Sequence, residues 1–500
     1  MNHFVMSIDA GTTGIKVLVL DGATEVSGRA YSEFRQYYPR PGWVEHDAEE
    51  IFATTLDVMR AALTDAGTDM GSVAAVGIAN QRETTVLWDR ASGEPVAPAI
   101  VWQCRRSASI CERLKSEGLD SDLRARTGLV VDPYFSATKI LWYLENLEGL
   151  RGRAEAGELA FGMVDTWLIW KLTRGRVHVT EPSNASRTLL YSLEKQTWDP
   201  WILDALGIPS SLLPDIRRSS GTFGEVSAGF FDSSSAPIAG VAGDQQAALF
   251  GQACFEEGMA KNTYGTGSFV LMNTGPQVKK SAHGLLSTAA WDTGDGVNYA
   301  LEGSIFVTGA AIQWLRDGLG IISHASETAA LAESVNDSNG TYLVPAFVGL
   351  GAPHWDPYAR GAYLGITRGT TAGHLARAAV EAMAYQTRDV CEAMTKDAGT
   401  ELSELRVDGE ASVIDLLCQT QADQLGVVVR RPRNLETTAL GAAYLAGLEV
   451  GVWSSRDEIA ERWSAAATFE PQAPREQMDE AYEGWKKAVE RASNWAAPGG

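Results

Sequence analysis

Cysteine and histidine are scarce in this sequence, which contains five Cys and seven His among 500 residues. The cysteines are odd in number and mostly far apart, which excludes a disulfide framework and a zinc site built on cysteine. The histidines lack the spacing of metal ligands, so none is a candidate for catalysis or metal binding. We therefore expect a reducing, cytoplasmic location. The cysteines are Cys104, Cys111, Cys254, Cys391 and Cys418.

Clusters of basic residues and long hydrophobic segments are also missing. The net charge is -21, and the nearest approaches to a basic cluster are the isolated pairs Arg105-Arg106 and Arg430-Arg431. A nucleic-acid partner is disfavoured because phosphate backbones are bound by clustered Lys and Arg. No run of 18 apolar residues occurs, and Met1 to Val5 does not begin a signal peptide, so we expect no membrane insertion.

Two familiar nucleotide-binding motifs are absent as well. The sequence has no Walker-type turn with Gly-Lys followed by Ser or Thr, and the segment Asp9-Ala-Gly-Thr-Thr-Gly does not match the dinucleotide fingerprint. A nucleotide site in this chain must therefore belong to a fold of another kind.

The length of the chain predicts two domains with a cleft between them, because 500 residues exceed one ordinary core. Apolar segments of strand and helix length alternate through both halves, which favours an α/β fold. The strand-turn-strand pattern of residues 4–20 returns at residues 261–274. This echo predicts two similar domains, 1–250 and 251–500, although two unrelated hairpins remain an alternative.

The first hairpin carries a candidate phosphate site. Asp9 ends a predicted strand just before Gly11-Thr12-Thr13-Gly14, so its carboxylate should lie beside a loop rich in N–H and hydroxyl donors. Lys16 adds a positive charge that suits a phosphate. The alternative is a purely structural Asx-turn at Asp9.

Other polar residues follow predicted strands, where α/β enzymes place their catalytic groups. Asp244 follows the apolar segment 238–241, and one carboxylate at such a place can accept the proton of an attacking alcohol. Arg82 and Glu83 follow the strand predicted at 73–79 and suit neighbouring hydroxyls of a polyol. A solvated ion pair is the alternative for these two residues.

Three aromatic residues are candidates for the apolar side of the same site. Trp102, Tyr134 and Phe269 could form the apolar wall that the carbon chain of a small polyol needs. Each of them, taken alone, is equally explained as an ordinary core residue.

Six segments spread along the chain carry a recognisable set of motifs. They are Pro41-Gly42-Trp43-Val44-Glu45-His46-Asp47, Asn80-Gln81-Arg82-Glu83-Thr84-Thr85, Trp102-Gln103-Cys104-Arg105-Arg106, Asp132-Pro133-Tyr134-Phe135-Ser136, Gly243-Asp244-Gln245-Gln246-Ala247-Ala248 and Tyr264-Gly265-Thr266-Gly267. Together, in this order, they resemble the FGGY family of carbohydrate kinases, and within it the glycerol kinases. The resemblance extends over nearly the whole chain.

The resemblance implies two actin-like, ribonuclease-H-like domains with a catalytic cleft between them. It implies phosphorylation of glycerol by ATP with Mg²⁺, giving sn-glycerol 3-phosphate, in a homodimer or homotetramer. Asp244 would be the general base and, with Asp9, would serve the metal. The glycerol contacts would be Arg82, Glu83, Trp102, Tyr134, Asp244, Gln245 and Phe269. The nucleotide contacts would be Thr12, Thr13, Gly14, Lys16, Thr266, Gly309, Gln313, Gly409, Glu410 and Ile414.

The chain departs from the family pattern near the expected adenine site. Glu410 stands where the family usually has a second Gly, and Ile414 stands where it has Asn. Gly14 replaces the usual Ser, and Lys16 replaces the usual Arg. Two alternatives follow: a polyol-binding regulatory protein with an impaired ATP site, and a kinase of another polyol or of a ketose.

Overall fold

The computed structural model describes residues 4–497, so the outer ends of the predicted domain ranges, 1–3 and 498–500, lie outside the described residues. Strands and helices alternate as expected. The strands of the first half are β1 Phe4–Ala10, β2 Gly14–Leu20, β3 Val26–Glu33, β4 Glu45–His46, β5 Val73–Asn80, β6 Val86–Asp89, β7 Ala99–Ile100, β8 Leu159–Gly162, β9 Val179–Thr180, β10 Tyr191–Ser192, β11 Thr197–Trp198, β12 Asp215–Ile216 and β13 Ile238–Gly243.

Nine helices accompany these strands within the described part of this half: α1 Ala48–Asp65, α2 Ala108–Ser116, α3 Asp120–Thr127, α4 Ser136–Asn146, α5 Leu150–Glu155, α6 Val164–Leu172, α7 Pro182–Ala185, α8 Pro200–Leu206 and α9 Asp244–Gly251. Helix α1 has a capped N-terminus. The carboxylate of its N-cap residue, Asp47, accepts hydrogen bonds from two backbone N–H groups of the first turn.

The second half contains β14 Met259–Tyr264, β15 Ser268–Gly275, β16 Leu286–Asp292, β17 Val297–Ile305, β18 Tyr342–Val344, β19 Ala362–Leu364, β20 Glu404–Asp408, β21 Val429–Pro432 and β22 Ala465–Phe469. Its helices are α10 Gly309–Asp317, α11 Glu327–Glu333, α12 Ala372–Ala398, α13 Asp415–Leu425, α14 Thr437–Glu449, α15 Arg456–Arg462 and α16 Arg475–Ala492. None of the helices described between residues 4 and 497 is both long and apolar enough to span a lipid bilayer.

The two large sheets share one topology. The first has the strand order β13-β5-β1-β2-β3, in which β1, β2 and β3 are antiparallel while β5 and β13 run parallel to β1. The second contains the corresponding order β21-β20-β14-β15-β17, with β22 and β16 added at its edges. The internal echo in the sequence therefore corresponds to two copies of one α/β arrangement, as in actin-like proteins.

Helix α14 belongs to the second half of the chain but packs on the first sheet. Its small residues allow this contact: a Cβ at Gly441 would lie 1.8 Å from the carbonyl oxygen of Ala247 in α9. The strands beneath are equally close, since a Cβ at Gly77 of β5 would lie 2.1 Å from the carbonyl oxygen of Ala442. The helix thereby joins the two sheets and brings the residue before it, Glu436, to the first hairpin.

Candidate active site

Two neighbouring strands of the first sheet end at the site. Strands β5 and β13 are parallel, and Asn80 lies opposite Gly243 in their register. Because the carboxyl ends of parallel strands meet at one edge, Arg82 lies beside Asp244, and Glu83 follows Arg82 in the chain. Gly243 is required here, since a Cβ at this residue would lie 2.7 Å from Cδ of Arg82.

Arg82 is a buried guanidinium held by several acceptors. Its Nε lies 3.0 Å from Oδ1 of Asp244, and one of its terminal nitrogens donates to Gln246 at 3.2 Å. The same end of the side chain forms a salt bridge with Glu302 of β17, in the second sheet. The solvated ion pair considered from the sequence is therefore replaced by a buried network that joins both domains.

Glu83 lies in a strained turn and is also buried. Its backbone φ of 61° is unusual for a side-chain residue, and its carboxylate Oε1 accepts a hydrogen bond of 2.6 Å from Nε of Arg187. Burial raises the pKa of Glu83, while the guanidiniums of Arg187 and Arg82 oppose that rise. No donor among residues 4–497 bonds to its Oε2, which leaves that oxygen to accept from a ligand.

Asp244 begins helix α9 and has one oxygen engaged. Its Oδ1 lies near Arg82 and also accepts the backbone N–H of Gln245 at 2.7 Å. Within the described chain, Oδ2 has no such partner. Burial raises the pKa of Asp244, an effect that the Arg82 charge opposes. A carboxylate with a raised pKa and a free oxygen is suited to accept a proton.

Gln245 is fixed by a lysine that sequence reasoning missed. Lys261 of β14 is fully buried, and its Nζ donates to Oε1 of Gln245 and to Oγ1 of Thr263. Burial lowers the pKa of Lys261 to about 8. Because an ammonium can only donate, the oxygen of the Gln245 amide must face Lys261, and the amide N–H₂ is left for a ligand.

The three predicted aromatic residues are only partly buried, and they border this polar group. The rings of Trp102 and Tyr134 meet edge to face with centroids 5.7 Å apart. The guanidinium of Arg82 lies 5.7 Å from the ring centroid of Phe269. Trp102 also donates from Nε1 to Oγ1 of Thr12 at 2.9 Å, which ties the aromatic wall to the first hairpin.

The predicted phosphate residues lie at the tip of the β1-β2 hairpin. Asp9 is opposite Lys16 in the antiparallel register, and Nζ of Lys16 lies 2.5 Å from a carboxylate oxygen of Glu436. Thr12 is partly buried and Thr13 is exposed at the turn. The lysine charge is thus shared between the hairpin of the first domain and the start of α14.

Gly14 fills its position because no side chain fits there. A Cβ at this residue would lie 2.5 Å from the carbonyl oxygen of Ser32 and 2.8 Å from the hydroxyl of Tyr31, both on β3. Residue 14 lacks the hydroxyl of the usual Ser, but the hydroxyl of Tyr31 from the neighbouring strand lies beside it.

The second hairpin is tied to the start of α10. The carbonyl of Thr266 accepts backbone hydrogen bonds from Thr308 and Ala310, each 3.0 Å long. Gly309 is equally constrained, since a Cβ there would lie 2.5 Å from the carbonyl oxygen of Gly265. Thr266 and Gln313 expose their side chains on this side, so the predicted set forms one accessible surface.

The residues expected near adenine lie in the turn after β20. Gly409 has φ of 84° and passes so close to Tyr264 that a Cβ would lie 2.4 Å from its carbonyl oxygen. Glu410 is exposed, whereas Ile414 is buried in the apolar core of the second domain. Neither side chain has a polar partner among the described residues, and their contact with a nucleotide stays a prediction.

The donor set around Asp9 fits a divalent cation. Burial raises the pKa of Asp9 to about 7, and the negative charges of Asp244 and Glu436 add to this rise while Lys16 opposes it. A cation near Asp9 would relieve this concentration of negative charge. Residues 4–497 contain no ready cluster of three or more acidic, His or Cys ligands, but Mg²⁺ commonly takes one or two carboxylates and completes its shell with phosphates and water.

Arg187, Lys261, Glu302 and Glu436 complete the site without having been identified from the sequence. Glu302 and Lys261 do carry a signal, because each is a charged residue inside an otherwise buried strand. A charge in such a place must be paired or bind a ligand. Arg187 and Glu436 lie in segments that show no comparable pattern.

Comparisons with known proteins agree with this arrangement. Residues 4–251 match the N-terminal domain of the FGGY family of carbohydrate kinases, and residues 260–450 match its C-terminal domain. The chain belongs to the FGGY family of carbohydrate kinases. This membership confirms the α/β fold with two actin-like domains that the sequence predicts.

Individual FGGY relatives are similar over their full length. A glycerol kinase of Caldanaerobacter subterraneus subsp. tengcongensis is 55% identical over 99% of this chain and 100% of the relative. Glycerol kinase 2 of Thermotoga maritima is 56% identical over 98% of this chain and 99% of the relative. A crystal structure of Plasmodium falciparum glycerol kinase with ADP superposes with a TM-score of 0.93, at 35% identity, covering 98% of each chain.

Proposed function

We propose that this chain phosphorylates glycerol with ATP, giving sn-glycerol 3-phosphate and ADP. The observation that carries the proposal is the convergence of Arg82, Glu83, Asp244 and Gln245 against a partly exposed aromatic wall. Two free carboxylate oxygens and one free amide offer acceptors and donors to adjacent hydroxyls. The wall provides the apolar contact that the carbon chain needs. The full-length similarity to proteins named glycerol kinase supports glycerol over another polyol or a ketose.

The chemical step would proceed from Asp244. Its free Oδ2 would accept the proton of the primary hydroxyl as that oxygen attacks the terminal phosphorus of ATP. Arg82 would hold Asp244 in place through Oδ1, so that the carboxylate does not rotate during the transfer. Transfer of this kind depends on alignment and on neutralising charge, and closure of the cleft would exclude water from the reaction.

The nucleotide would bind between the two hairpins. Thr12, Thr13 and Lys16 would contact the phosphates from the first domain. The side of the second domain formed by Thr266, Gly309 and Gln313 would line the rest of the nucleotide, with the turn at 409–414 near the base. The similar structure with ADP supports a nucleotide in this fold.

Mg²⁺ would be held by Asp9 and Asp244. When bound, it would neutralise charge on the phosphates during transfer. The buried, mutually repelling carboxylates around Asp9 support this assignment.

We also propose a division into two domains between residues 250 and 251, assembly as a homodimer or homotetramer, and a cytoplasmic location.

The decisive experiment measures ADP release from purified protein with Mg²⁺ and ATP, with and without glycerol. We expect release that depends on glycerol, with glycerol phosphate as the product. Parallel assays with xylulose, gluconate and erythritol should give far lower turnover. Glycerol binding without ADP release would instead support the regulatory alternative, and faster turnover of another polyol would overturn the choice of substrate.

A further inference from the structure

A chain of five alternating charges runs through the site, and its middle member, Glu302, comes from the second domain. Asp244 contacts Arg82, Arg82 contacts Glu302, Glu302 contacts Arg187, and Arg187 contacts Glu83. All but Asp244 are almost completely buried. Its two ends are the proposed general base and a proposed glycerol ligand. The middle of the chain, Arg187 and Glu302, has no part in the function proposed above.

The geometry of Glu302 is that of a bridge. One of its carboxylate oxygens contacts Arg82, and the other accepts from a terminal nitrogen of Arg187 at 2.9 Å and from Arg82 at 3.4 Å. Both oxygens are therefore occupied by guanidiniums. The two positive charges of the first domain share one negative charge from strand β17 of the second.

This sharing leaves oxygens free elsewhere. Two guanidiniums with only Glu83 and Asp244 as partners would draw both oxygens of each carboxylate, since bidentate pairing is their preferred geometry. With Glu302 present, Arg82 takes only Oδ1 of Asp244, and Arg187 takes only Oε1 of Glu83. The second oxygen of each carboxylate remains available to the substrate.

We infer that Glu302 and Arg187 are positioning residues that keep one oxygen of Asp244 and one of Glu83 free for the hydroxyls of the substrate. The inference rests on the proposed function, because it assigns a task at the same site. The two positioning residues act through different neighbours. Glu302 acts on the base through Arg82, whereas Arg187 acts on the ligand Glu83.

The first test is Glu302→Gln, which keeps the shape and removes the charge. We expect kcat per folded molecule to fall about tenfold or more, because Arg82 would then pair with both oxygens of Asp244 and leave the base no free oxygen. The matched control is Glu381→Gln, a buried glutamate on α12 that pairs with Arg377 at 2.8 Å away from the site. Its kcat per folded molecule should equal that of the wild type.

The second test is Arg187→Lys, which keeps the positive charge and removes the guanidinium that donates to two carboxylates at once. A lysine cannot hold Glu83 and Glu302 together, so we expect KM for glycerol to rise about tenfold with a smaller change in kcat. Arg388→Lys is the control, because Arg388 is also buried and contacts two carboxylates, Glu392 at 2.9 Å and Asp479 at 2.5 Å.

The readouts separate positioning from simple loss of folded protein. If the variants only unfold a fraction of the molecules, the folded fraction keeps the wild-type KM and the wild-type kcat per folded molecule, and the inference is overturned. It is equally overturned if an active wild type and both variants give the same constants. Absence of glycerol-dependent ADP release from the wild type would instead defeat the proposed function itself.

Discussion

Lys261 of the second domain donates a hydrogen bond to the side-chain oxygen of Gln245 in the first, and both residues are buried. This bond fixes which end of the amide faces the cleft. It also places the positive charge of Lys261 directly behind Gln245, a proposed glycerol contact, so that the charge itself does not touch the substrate.

Replacing Lys261 with Met should therefore weaken glycerol binding more than it slows transfer. The amide of Gln245 would be free to rotate, and a hydrogen bond to a charged group contributes about 1.5–3 kcal/mol. We expect KM for glycerol to rise roughly tenfold or more while kcat changes less. Lys171→Met is the control, since that lysine pairs with Glu49 outside the site. An unchanged KM would show that Gln245 keeps its orientation unaided.

Gly14→Ser restores the residue usual in the family but should harm this chain. The new Cβ would collide with the backbone carbonyl of Ser32, which cannot move as a flexible side chain can. Overpacking of this kind costs about 1–3 kcal/mol. We expect a lower melting temperature and no fall in KM for ATP. Gly22→Ser is the control, because nothing lies within 4 Å of a Cβ there. Tighter ATP binding at unchanged stability would contradict the prediction.

Asp244→Asn should remove the proton acceptor with little change of shape. A positioned general base contributes about 10² to 10⁴ in rate, so kcat should fall by that factor. Glycerol binding, measured by calorimetry, should persist in part because Arg82, Glu83 and Gln245 remain. Asp57→Asn on the exposed face of α1 provides the comparison. Full turnover by the Asp244 variant would eliminate this residue as the base.

Sequence reasoning predicted the elements that carry a local signal. The hairpin at residues 4–20 and the two strand ends before Arg82 and Asp244 follow from short patterns of apolar and turn residues. The meeting of the two strand ends follows from parallel pairing. Membership of the FGGY family confirms the fold, while the roles of the individual site residues stay predictions.

The rest of the site depends on contacts between distant segments. Glu302 contacts residues more than 100 positions away, and Glu436 reaches Lys16 across 420 positions. No periodicity encodes such a pairing. The charge of Glu302 inside the buried strand β17 does indicate that a partner is needed. Only the folded chain shows that the partners are Arg82 and Arg187.

The raised pKa of Asp9 makes stability depend on pH with the sign opposite to that of a salt-bridged aspartate, whose pKa is lowered. Its folded-state pKa of about 7 is raised above the unfolded value of 3.8, so the folded protein binds more protons between these limits. The contribution of Asp9 to stability is therefore lost as pH rises from about 4 to about 7. In metal-free buffer, the free energy of unfolding in urea should fall less over this range for Asp9→Asn than for the wild type. Mg²⁺ should stabilise the wild type more above pH 7, where Asp9 is ionised, and should do little for Asp9→Asn. Equal pH slopes for both proteins would show that Asp9 keeps an ordinary pKa.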